Sequence, residues 1–327
     1  MARPTISDVS RAAGVSIKTV SRVLNNERYV GAATRARVEA AVAALRFRPS
    51  TAARALAGGR SHQIGLLCDN PSPFYVHQMQ LGVRDRCAEV GVRMIAQPYD
   101  RRGGGVLEEV EELIDTTGVD GLILTPPVSD DDAVLDRLVA RGVPFVRVSP
   151  GGRLDLSPSV RIDNEAAAAA VTQVLRDLGH RRIGFVGGDP SFAASAQRLT
   201  GFAAIAGGDT ALVREGDFSF AAGATAGAEL LAMPDPPTAI VAANDEMAAG
   251  ILSAAHRIGV AVPGRLSVAG FGDDAVASLV WPPLTTVRQP TRELGYHAAD
   301  LLLAGGAMQH RELPFAVVVR DSTGPAA

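Results

Sequence analysis

Residues 5–25 read TISDVSRAAGVSIKTVSRVLN, and this stretch decides the fold expected for the N-terminal part of the chain. Thr5 precedes Asp8 by three positions, which is the spacing of a capping box at the start of a helix. Gly14 stands where a residue with left-handed backbone would end that helix. The apolar residues between these points recur at helical spacing and define an inward face: Ile6, Val9 and Ala13.

Two further helices are predicted after this first one. Ser16 can cap the second helix. Its inward-facing residues are Val20, Val23 and Leu24. A third helix is predicted over 34–46, where apolar residues again recur at helical spacing: Val38, Ala41, Val42 and Leu45. Three short helices with a glycine-containing turn between the first two indicate a helix-turn-helix unit.

The second helix is predicted to read DNA. Ile17 and Lys18 at its start, and Arg22 one turn later, would project into a major groove. Arg22 can donate two parallel hydrogen bonds to guanine, and Ile17 offers an apolar contact to a thymine methyl group. The predicted DNA-binding set also includes the capping Thr5 and the short donors suited to phosphates: Ser16, Thr19, Ser21 and Asn25. The alternative is that these residues form an ordinary solvated helix face.

Charge is divided unevenly along the 327 residues, although their net charge is only −3. Residues 1–60 hold eleven Lys and Arg against three Asp and Glu, a charge of +8, and the remainder carries −11. A basic N-terminal part followed by an acidic remainder is expected when the N-terminal part binds a polyanion and the remainder is repelled by it. Double-stranded DNA is therefore the predicted partner of the first sixty residues.

A short basic helix is predicted between the head, residues 1–48, and the rest of the chain. A proline and a pair of glycines bracket about two helical turns within residues 49–60. Such a short helix is marginal alone in water and is expected to order when it is packed or bound. Leu56 on this helix would act as a wedge in a minor groove. The alternative, which the sequence by itself favours, is a plain interdomain linker.

From His62 onward the sequence alternates between apolar strand, loop and helix, so residues 61–327 are predicted to form a separate core. This alternation predicts parallel sheets covered by helices on both faces. The length fits two doubly wound half-domains, with a first crossover near 160–163. The predicted strands cover 64–68, 92–96, 121–125, 145–148, 182–186, 239–243 and 266–270. The predicted helices cover 76–90, 107–116, 131–140, 165–178, 221–231 and 247–258.

Ligands collect beyond the carboxyl ends of the strands in such sheets, and side chains suited to a sugar lie at or just beyond these ends. The candidates are Phe74, Tyr75, Arg147, Arg198, Phe218 and Asn244. Aromatic rings can cover the C–H face of a sugar, and planar hydrogen-bonding groups can bind its hydroxyls. The alternative for each aromatic residue is core packing, and Asp245 would instead cap a helix.

Residues 5–25 and residues 48–58 resemble the DNA-binding head and the hinge helix of the lactose/galactose-repressor family. The resemblance continues through the core in three stretches: residues 195–202, 243–250 and 282–289. It implies that Ile17, Lys18 and Arg22 read bases. It also implies that Leu56 from two subunits pries apart the central step of a near-palindromic operator.

For the core, the resemblance implies a fold like that of type I periplasmic binding proteins, with an effector cleft. The residues implied to line this cleft are Phe74, Tyr75, Arg147, Arg198, Phe218, Asn244 and Gln289. Gly272 stands where the family commonly carries an effector-binding Asp. Two interpretations stay open. Either Asp273 binds the effector in place of the missing Asp, or the effector makes no such contact.

Other function classes are not expected. The sequence lacks the glycine-rich phosphate loops and the nucleophile elbow that mark many α/β enzymes, so no enzyme is predicted. The six His and two Cys residues lack metal-ligand spacing, and neither a metal nor a cofactor is predicted. Cys68 and Cys87 are expected to be buried free thiols.

The location and assembly of the chain are expected to suit a repressor. No apolar run of about 18 residues and no apolar signal region is visible, which favours the cytoplasm over a membrane or export. An exported sugar-binding protein stays the alternative. No leucine-heptad tail is visible, so a homodimer is expected, which matches a palindromic operator. The sequence thus predicts a repressor released by a sugar or sugar-like effector, with the operator, the effector's identity and induction or co-repression left open.

Overall fold

The computed structural model describes residues 4–24, 29–47, 61–99, 103–305 and 308–326. The chain divides into two compact units, Met1–His62 and Gln63–Ala327. Two residues predicted to contact DNA, Asn25 and Leu56, lie outside the described residues, as does the whole of the predicted hinge over 49–60.

Within its described residues the first unit contains the helices α1 (Ile6–Ala13), α2 (Ile17–Leu24) and α3 (Ala32–Ala44). The predicted capping box is confirmed, since the Thr5 hydroxyl accepts from Asp8 N and the Asp8 carboxylate accepts from Thr5 N at 2.9 Å. Gly14 has a φ of 63° and ends α1 as predicted. The third helix lies two residues earlier than predicted, because Arg46 adopts a left-handed φ of 49° that a helix cannot continue through.

Small apolar side chains hold these three helices together. Val9, Val20 and Val38 come from one helix each, and all three are fully buried. The Ser16 hydroxyl accepts a hydrogen bond from Thr19 N at 3.1 Å, so Ser16 caps α2 as predicted. The polar residues of α2 are left on the outer face of the unit.

The second unit contains two six-stranded sheets. Its strands are β1 (Gln63–Cys68), β2 (Arg93–Pro98), β3 (Leu122–Leu124), β4 (Phe145–Val148), β5 (Ser159–Arg161), β6 (Ile183–Val186), β7 (Val213–Arg214), β8 (Ala239–Ala242), β9 (Ser267–Gly272), β10 (Thr285–Arg288), β11 (His310–Glu312) and β12 (Ala316–Val318). The first sheet has the order β2-β1-β3-β4-β5-β11 and is parallel throughout. The second has the order β7-β6-β8-β9-β10-β12 and is parallel except for β12.

Helices pack against both sheets. They are α4 (Pro73–Glu89), α5 (Val106–Thr117), α6 (Asp132–Arg141), α7 (Asn164–Asp177), α8 (Ala193–Ala206), α9 (Phe220–Leu231), α10 (Asp245–Arg257), α11 (Ala275–Leu279) and α12 (Thr291–Ala304). All seven predicted strands and all six predicted helices of the core are present, with shifted ends. The predicted architecture of two doubly wound halves is therefore confirmed.

The chain crosses between the two halves more than once. It leaves the first sheet after Arg161 at the end of β5, and β6 begins the second sheet. It returns through α12 and β11 to the first half, and β12 then joins the second sheet. These crossings tie the two halves to each other around the carboxyl ends of their parallel strands.

Helices α4 and α12 cross in direct backbone contact. A Cβ atom at Gly82 would overlap the Arg292 carbonyl oxygen and would stand 2.7 Å from Tyr296 N. A Cβ atom at Gly295 would likewise overlap the Met79 carbonyl oxygen. Glycine at both positions thus lets α12, which follows the second sheet along the chain, pack closely on the first half.

Cys68 and Cys87 are buried free thiols, as predicted. None of the helices in the described part of the chain has the length and apolar character needed to span a bilayer. Over the same residues, no group of three or more His, Cys, Asp and Glu side chains is placed to hold a metal ion.

His180 joins the C-terminal segment to the second sheet. Its Nε2–H donates to the Gly324 carbonyl oxygen at 3.0 Å, and its Nδ1 accepts from the Thr238 hydroxyl at 2.9 Å. Because a carbonyl oxygen only accepts, the proton of the neutral ring lies on Nε2. Burial lowers the pKa of His180 below its ordinary value of 6.5. The folded protein therefore favours the neutral imidazole.

Acid is expected to destabilise the protein through His180. The contribution of His180 to the free energy of unfolding is complete above pH 6.5 and is lost as the pH falls through the lower folded pKa. The variant His180→Gln removes this proton-binding group. Its melting temperature should therefore fall less between about pH 7 and about pH 5 than that of the wild type. Equal falls in the two proteins, measured by thermal unfolding, would contradict this assignment.

Candidate DNA-reading helix and effector cavity

Helix α2 presents three exposed side chains on the surface of the first unit, two at its start and one in its last turn. Ile17 keeps 48% of its surface exposed, although isoleucine is usually buried. Lys18 and Arg22 are also exposed and lie one helical turn apart. An apolar side chain beside two cations on one helix face suits the mixed surface of a DNA major groove.

Three of the short polar residues predicted to contact phosphates stabilise helix starts: Thr5, Ser16 and Thr19. Thr5 and Ser16 are exposed, whereas Thr19 and Ser21 are half-buried. The Thr5 hydroxyl donates to the Asp8 carboxylate at 2.8 Å, and the Ser16 and Thr19 hydroxyls form a hydrogen bond of 2.9 Å. The first bond fixes the N-terminus of α1, and the second fixes that of α2. At a helix N-terminus the backbone N–H groups and the helix dipole favour an anion such as a phosphate.

A cavity lies where the carboxyl ends of strands from both sheets converge. The first half contributes residues that follow β1, β3 and β4. The second half contributes residues that follow β6, β7, β8 and β10, and residues at the end of β9 and just after it. Five of the eight residues predicted for the effector cleft line it: Tyr75, Arg198, Phe218, Asn244 and Gln289. The cavity thus lies at the sheet edge that the sequence indicates.

Arg198 is the buried cation of the cavity. Its Nε donates to the Asn164 side-chain oxygen at 3.0 Å, and its Nη1 donates to the Ala243 carbonyl oxygen at 2.6 Å. The guanidinium carbon lies 3.7 Å from the centre of the Phe271 ring. Burial lowers the pKa of Arg198 to about 10, so the side chain stays charged at neutral pH. These contacts fix the guanidinium plane and leave N–H groups for a ligand oxygen.

Aromatic rings form the apolar part of the cavity wall. The rings of Phe192 and Phe218 meet edge to face, with their centres 5.2 Å apart. Phe218 also lies against Gly188, where a Cβ atom would overlap its ring. Burial raises the pKa of Tyr75, so its phenol keeps its proton. Together the rings offer faces for C–H groups, and the Tyr75 hydroxyl offers a neutral donor.

Asn244 is held at the cavity by the start of α10. Its side-chain oxygen accepts from Met247 N at 3.0 Å and caps the helix. Its amide nitrogen donates to the Phe218 carbonyl oxygen at 2.8 Å and to Glu246 Oε2 at 2.9 Å. The cap expected at Asp245 is therefore formed one residue earlier, because the Asp245 side chain points into the core instead.

The cavity also has a group of carboxylates that the sequence did not predict there. Glu246 and Asp274 line the cavity, and Asp245 is fully buried behind them. The Ser72 hydroxyl of the first half donates to Asp274 Oδ2 of the second half at 3.1 Å. Burial raises the pKa of Asp245 to about 7 despite a hydrogen bond from the Thr286 hydroxyl at 2.6 Å. The sequence signal that could have indicated these carboxylates is the pair of consecutive acidic residues after Asn244, in the run NDE at 244–246.

Arg147 is the first predicted cleft residue that does not line the cavity. Its side chain is fully buried, and Nε donates to the Ser157 hydroxyl at 3.1 Å. Its other nitrogens donate to three backbone carbonyl oxygens: those of Ser129, Gly152 and Arg153. Arg147 therefore holds the loop after β4 in place, and this use of its donors explains why it does not reach the cavity.

Phe74 and Asp273 are also placed outside the cavity lining. Phe74 lies in the first turn of α4 with 38% of its surface exposed. The carboxylate of Asp273 accepts from Arg288 Nε at 2.6 Å and from Arg320 Nη2 at 2.5 Å. These two arginines turn Asp273 away from the position left by Gly272, and the neighbouring Asp274 lines the cavity instead.

Comparison with known proteins agrees with both parts of the structure. The family model for bacterial regulatory proteins of the lacI family matches residues 5–50, and that for a periplasmic binding protein-like domain matches residues 172–323. The HTH-type transcriptional repressor PurR of Photobacterium profundum is 34% identical over 91% of this chain and 91% of its own. The chain belongs to the LacI family. This LacI-family regulator is a DNA-binding protein and not an enzyme, as predicted.

Two solved structures resemble this LacI-family regulator over almost its whole length. The crystal structure of the lac repressor dimer bound to operator and the anti-inducer ONPF is 30% identical, with a TM-score of 0.85, and covers 99% of this chain and 100% of that chain. The complex of the transcriptional regulator CelR with cellobiose is 31% identical, with a TM-score of 0.74, and covers 98% and 100%. The resemblance to the repressor family predicted from the sequence is therefore confirmed.

Proposed function

We propose that this LacI-family regulator represses transcription as a homodimer on a near-palindromic operator and that a carbohydrate-like effector releases it. The cavity carries this proposal, because both halves of the core contribute hydrogen-bonding groups to it and aromatic rings line it. The operator-bound lac repressor dimer and the CelR–cellobiose complex support the two activities. As a regulator of this family, the protein acts on DNA in the cytoplasm.

Release is explained by a ligand that contacts both halves of the core at once. The Ser72–Asp274 hydrogen bond already joins the halves across the cavity at 3.1 Å. A ligand that binds the same walls stabilises one arrangement of the halves over another. If the ligand prefers the arrangement with low operator affinity, ligand binding lowers the affinity of the protein for operator. Operator binding then lowers the affinity of the protein for the ligand by the same factor.

Homodimer formation is supported by exposed apolar side chains on the second half of the core. Leu279 keeps 78% of its surface exposed, and Trp281 keeps 86%. Side chains of this size are usually buried, and a second copy of the chain would cover them. A twofold symmetric dimer presents two reading helices to the two halves of a near-palindromic operator.

Base reading by α2 is tested with Arg22→Ala. An operator is first selected from random duplexes by the full-length protein. The variant should lose about 1–3 kcal/mol of binding free energy on this duplex and little on random DNA, because a bidentate guanine contact is sequence-specific. The matched variant Arg22→Lys keeps the charge but not the planar pair of donors. Equal losses on operator and random DNA, measured by fluorescence anisotropy, would make Arg22 a phosphate contact.

The effector class is tested by thermal unfolding of the full-length protein with sugars, sugar phosphates, sugar acids and nucleobases. A ligand at about 100 times its dissociation constant adds about 2.7 kcal/mol to the free energy of unfolding, which is a readable shift. A shift with a sugar is expected. A shift with a nucleobase or an acid, and with no sugar, would keep the repressor and overturn the proposed effector class.

A further inference from the structure

Glu246 lines the effector cavity and carries one carboxylate oxygen without a hydrogen-bond partner. Its Oε1 atom is buried without a hydrogen-bond partner, and within the described ranges no other buried side-chain oxygen or nitrogen is in that condition. Its Oε2 atom accepts a hydrogen bond from Asn244 Nδ2 at 2.9 Å. Since buried polar atoms in folded proteins nearly always have partners, Oε1 indicates a donor that the protein itself does not supply.

Asp274 adds a second carboxylate to the cavity lining. Its Oδ2 atom accepts from the Ser72 hydroxyl at 3.1 Å. Burial, followed by the negative charge of Glu246, raises the pKa of Asp274 to about 6. The two carboxylates therefore repel each other in poorly solvated surroundings, where charge interactions are strong.

The arginines around this part of the cavity are bound elsewhere. Arg288 and Arg320 form ion pairs with Asp273. Arg198 donates to an amide oxygen and a backbone carbonyl oxygen. Over the part of the chain that the structure describes, no cationic side chain forms an ion pair with either cavity carboxylate. The negative charge at this position is thus compensated by hydrogen bonds alone.

We propose that the effector is a polyhydroxylated compound carrying a protonated nitrogen, which binds between Glu246 and Asp274. This inference rests on the proposed function, because it names the ligand class of the same cavity. The N–H groups supply the donor that Glu246 Oε1 lacks, and their charge compensates both carboxylates. The ring of Phe218 and the guanidinium of Arg198 remain for the C–H face and the hydroxyls.

Charge also excludes one class of ligand from this cavity. A sugar phosphate or a sugar acid would place a third negative charge near the two carboxylates, where like charges destabilise binding. Amino sugars and basic iminosugars have the opposite charge on a similar scaffold. The charge of the ligand, rather than its ring alone, therefore determines which compounds bind.

The test compares matched ligands by calorimetry with the full-length protein near neutral pH. The probes are glucosamine, galactosamine and mannosamine, each beside its N-acetyl form and its parent sugar, with the iminosugar deoxynojirimycin and glucose 6-phosphate. At least one cationic probe should bind about tenfold or more tightly than its neutral counterparts. In Glu246→Gln, which keeps the side-chain size, this ratio should fall about tenfold. The matched variant Glu108→Gln, which alters an exposed carboxylate on α5, should keep it.

Distinct outcomes separate this inference from the proposed function. Neutral sugars that bind as tightly as the cationic probes would overturn the inference and leave a sugar-responsive regulator. If Glu246→Gln does not fold, Asp274→Asn removes the second carboxylate, and an unchanged ratio there would also overturn the inference. Failure of every probe, cationic or neutral, would count against both the protonated nitrogen and the carbohydrate-like effector.

Discussion

Gly82→Ala is expected to lower the melting temperature of the core by about 6–12 °C. The added methyl group would overlap the Arg292 carbonyl oxygen and stand 2.7 Å from Tyr296 N, so α4 and α12 have to move apart. Neither obstacle is the end of a flexible side chain. Overpacking of this kind costs about 3 kcal/mol, and each kcal/mol corresponds to about 2–4 °C in a domain of this size.

The matched control for this substitution is Gly208→Ala. A Cβ atom at Gly208 would have no heavy atom within 4 Å, and Gly208 does not adopt a left-handed backbone conformation. Its melting temperature should stay near that of the wild type in differential scanning calorimetry. A Gly82→Ala protein as stable as the control would show that α4 and α12 are not in backbone contact.

Arg198→Ala is expected to have the largest effect on ligand binding. The guanidinium is fixed by Asn164, Ala243 and Phe271, so its remaining N–H groups are already oriented toward the cavity. Loss of charge-assisted hydrogen bonds to a ligand costs about 3 kcal/mol, or roughly 100-fold in the dissociation constant. Calorimetry with the tightest ligand measures this loss, and operator affinity without ligand should be retained.

Two further variants separate binding from a general effect of charge or folding. Arg198→Lys keeps the positive charge but lacks the planar set of donors, so most of the loss should remain. Arg137→Ala removes an arginine that forms an ion pair with Glu111 on the surface, and it should bind the ligand normally. A dissociation constant for Arg198→Ala within about twofold of the wild type would remove Arg198 from the effector site.

The architecture was predictable because its signals are local. The capping box at Thr5 and the glycine at the end of α1 follow from spacings of a few residues, and both are present. The strand–helix alternation likewise predicted seven strands and six helices of the core. Five strands were missed, namely β5, β7, β10, β11 and β12, and each is only two to four residues long. Three of them, β7, β11 and β12, lie at sheet edges. The formation of these strands depends on pairing with strands that are distant in the sequence, and the local hydrophobic pattern does not reveal such pairing.

The cavity was predictable in position but only partly in composition. Position at a strand end identified Tyr75, Arg198, Phe218 and Asn244, because parallel strands place their carboxyl ends together. The same rule misplaced Arg147, whose donors are taken by loop carbonyls. These hydrogen-bond acceptors of Arg147 are brought to it by tertiary contacts, which the position of Arg147 along the chain does not reveal.

Asp273 and Asp274 show how little the sequence distinguishes neighbouring carboxylates. Arg288 and Arg320 bind the first, whereas the second lines the cavity and accepts from Ser72. The choice is made by residues that are far apart along the chain. A single sequence therefore located the acidic pair but not the member that lines the cavity.

The central claim is that a ligand in the core cavity controls DNA binding by the head. The most direct measurement titrates ligand into the full-length protein bound to its selected operator and follows fluorescence anisotropy. The account predicts that saturating ligand weakens operator binding by roughly 5–150-fold, and that Arg198→Ala no longer responds at the same ligand concentration. Operator affinity that stays constant while calorimetry shows the ligand bound would contradict the account.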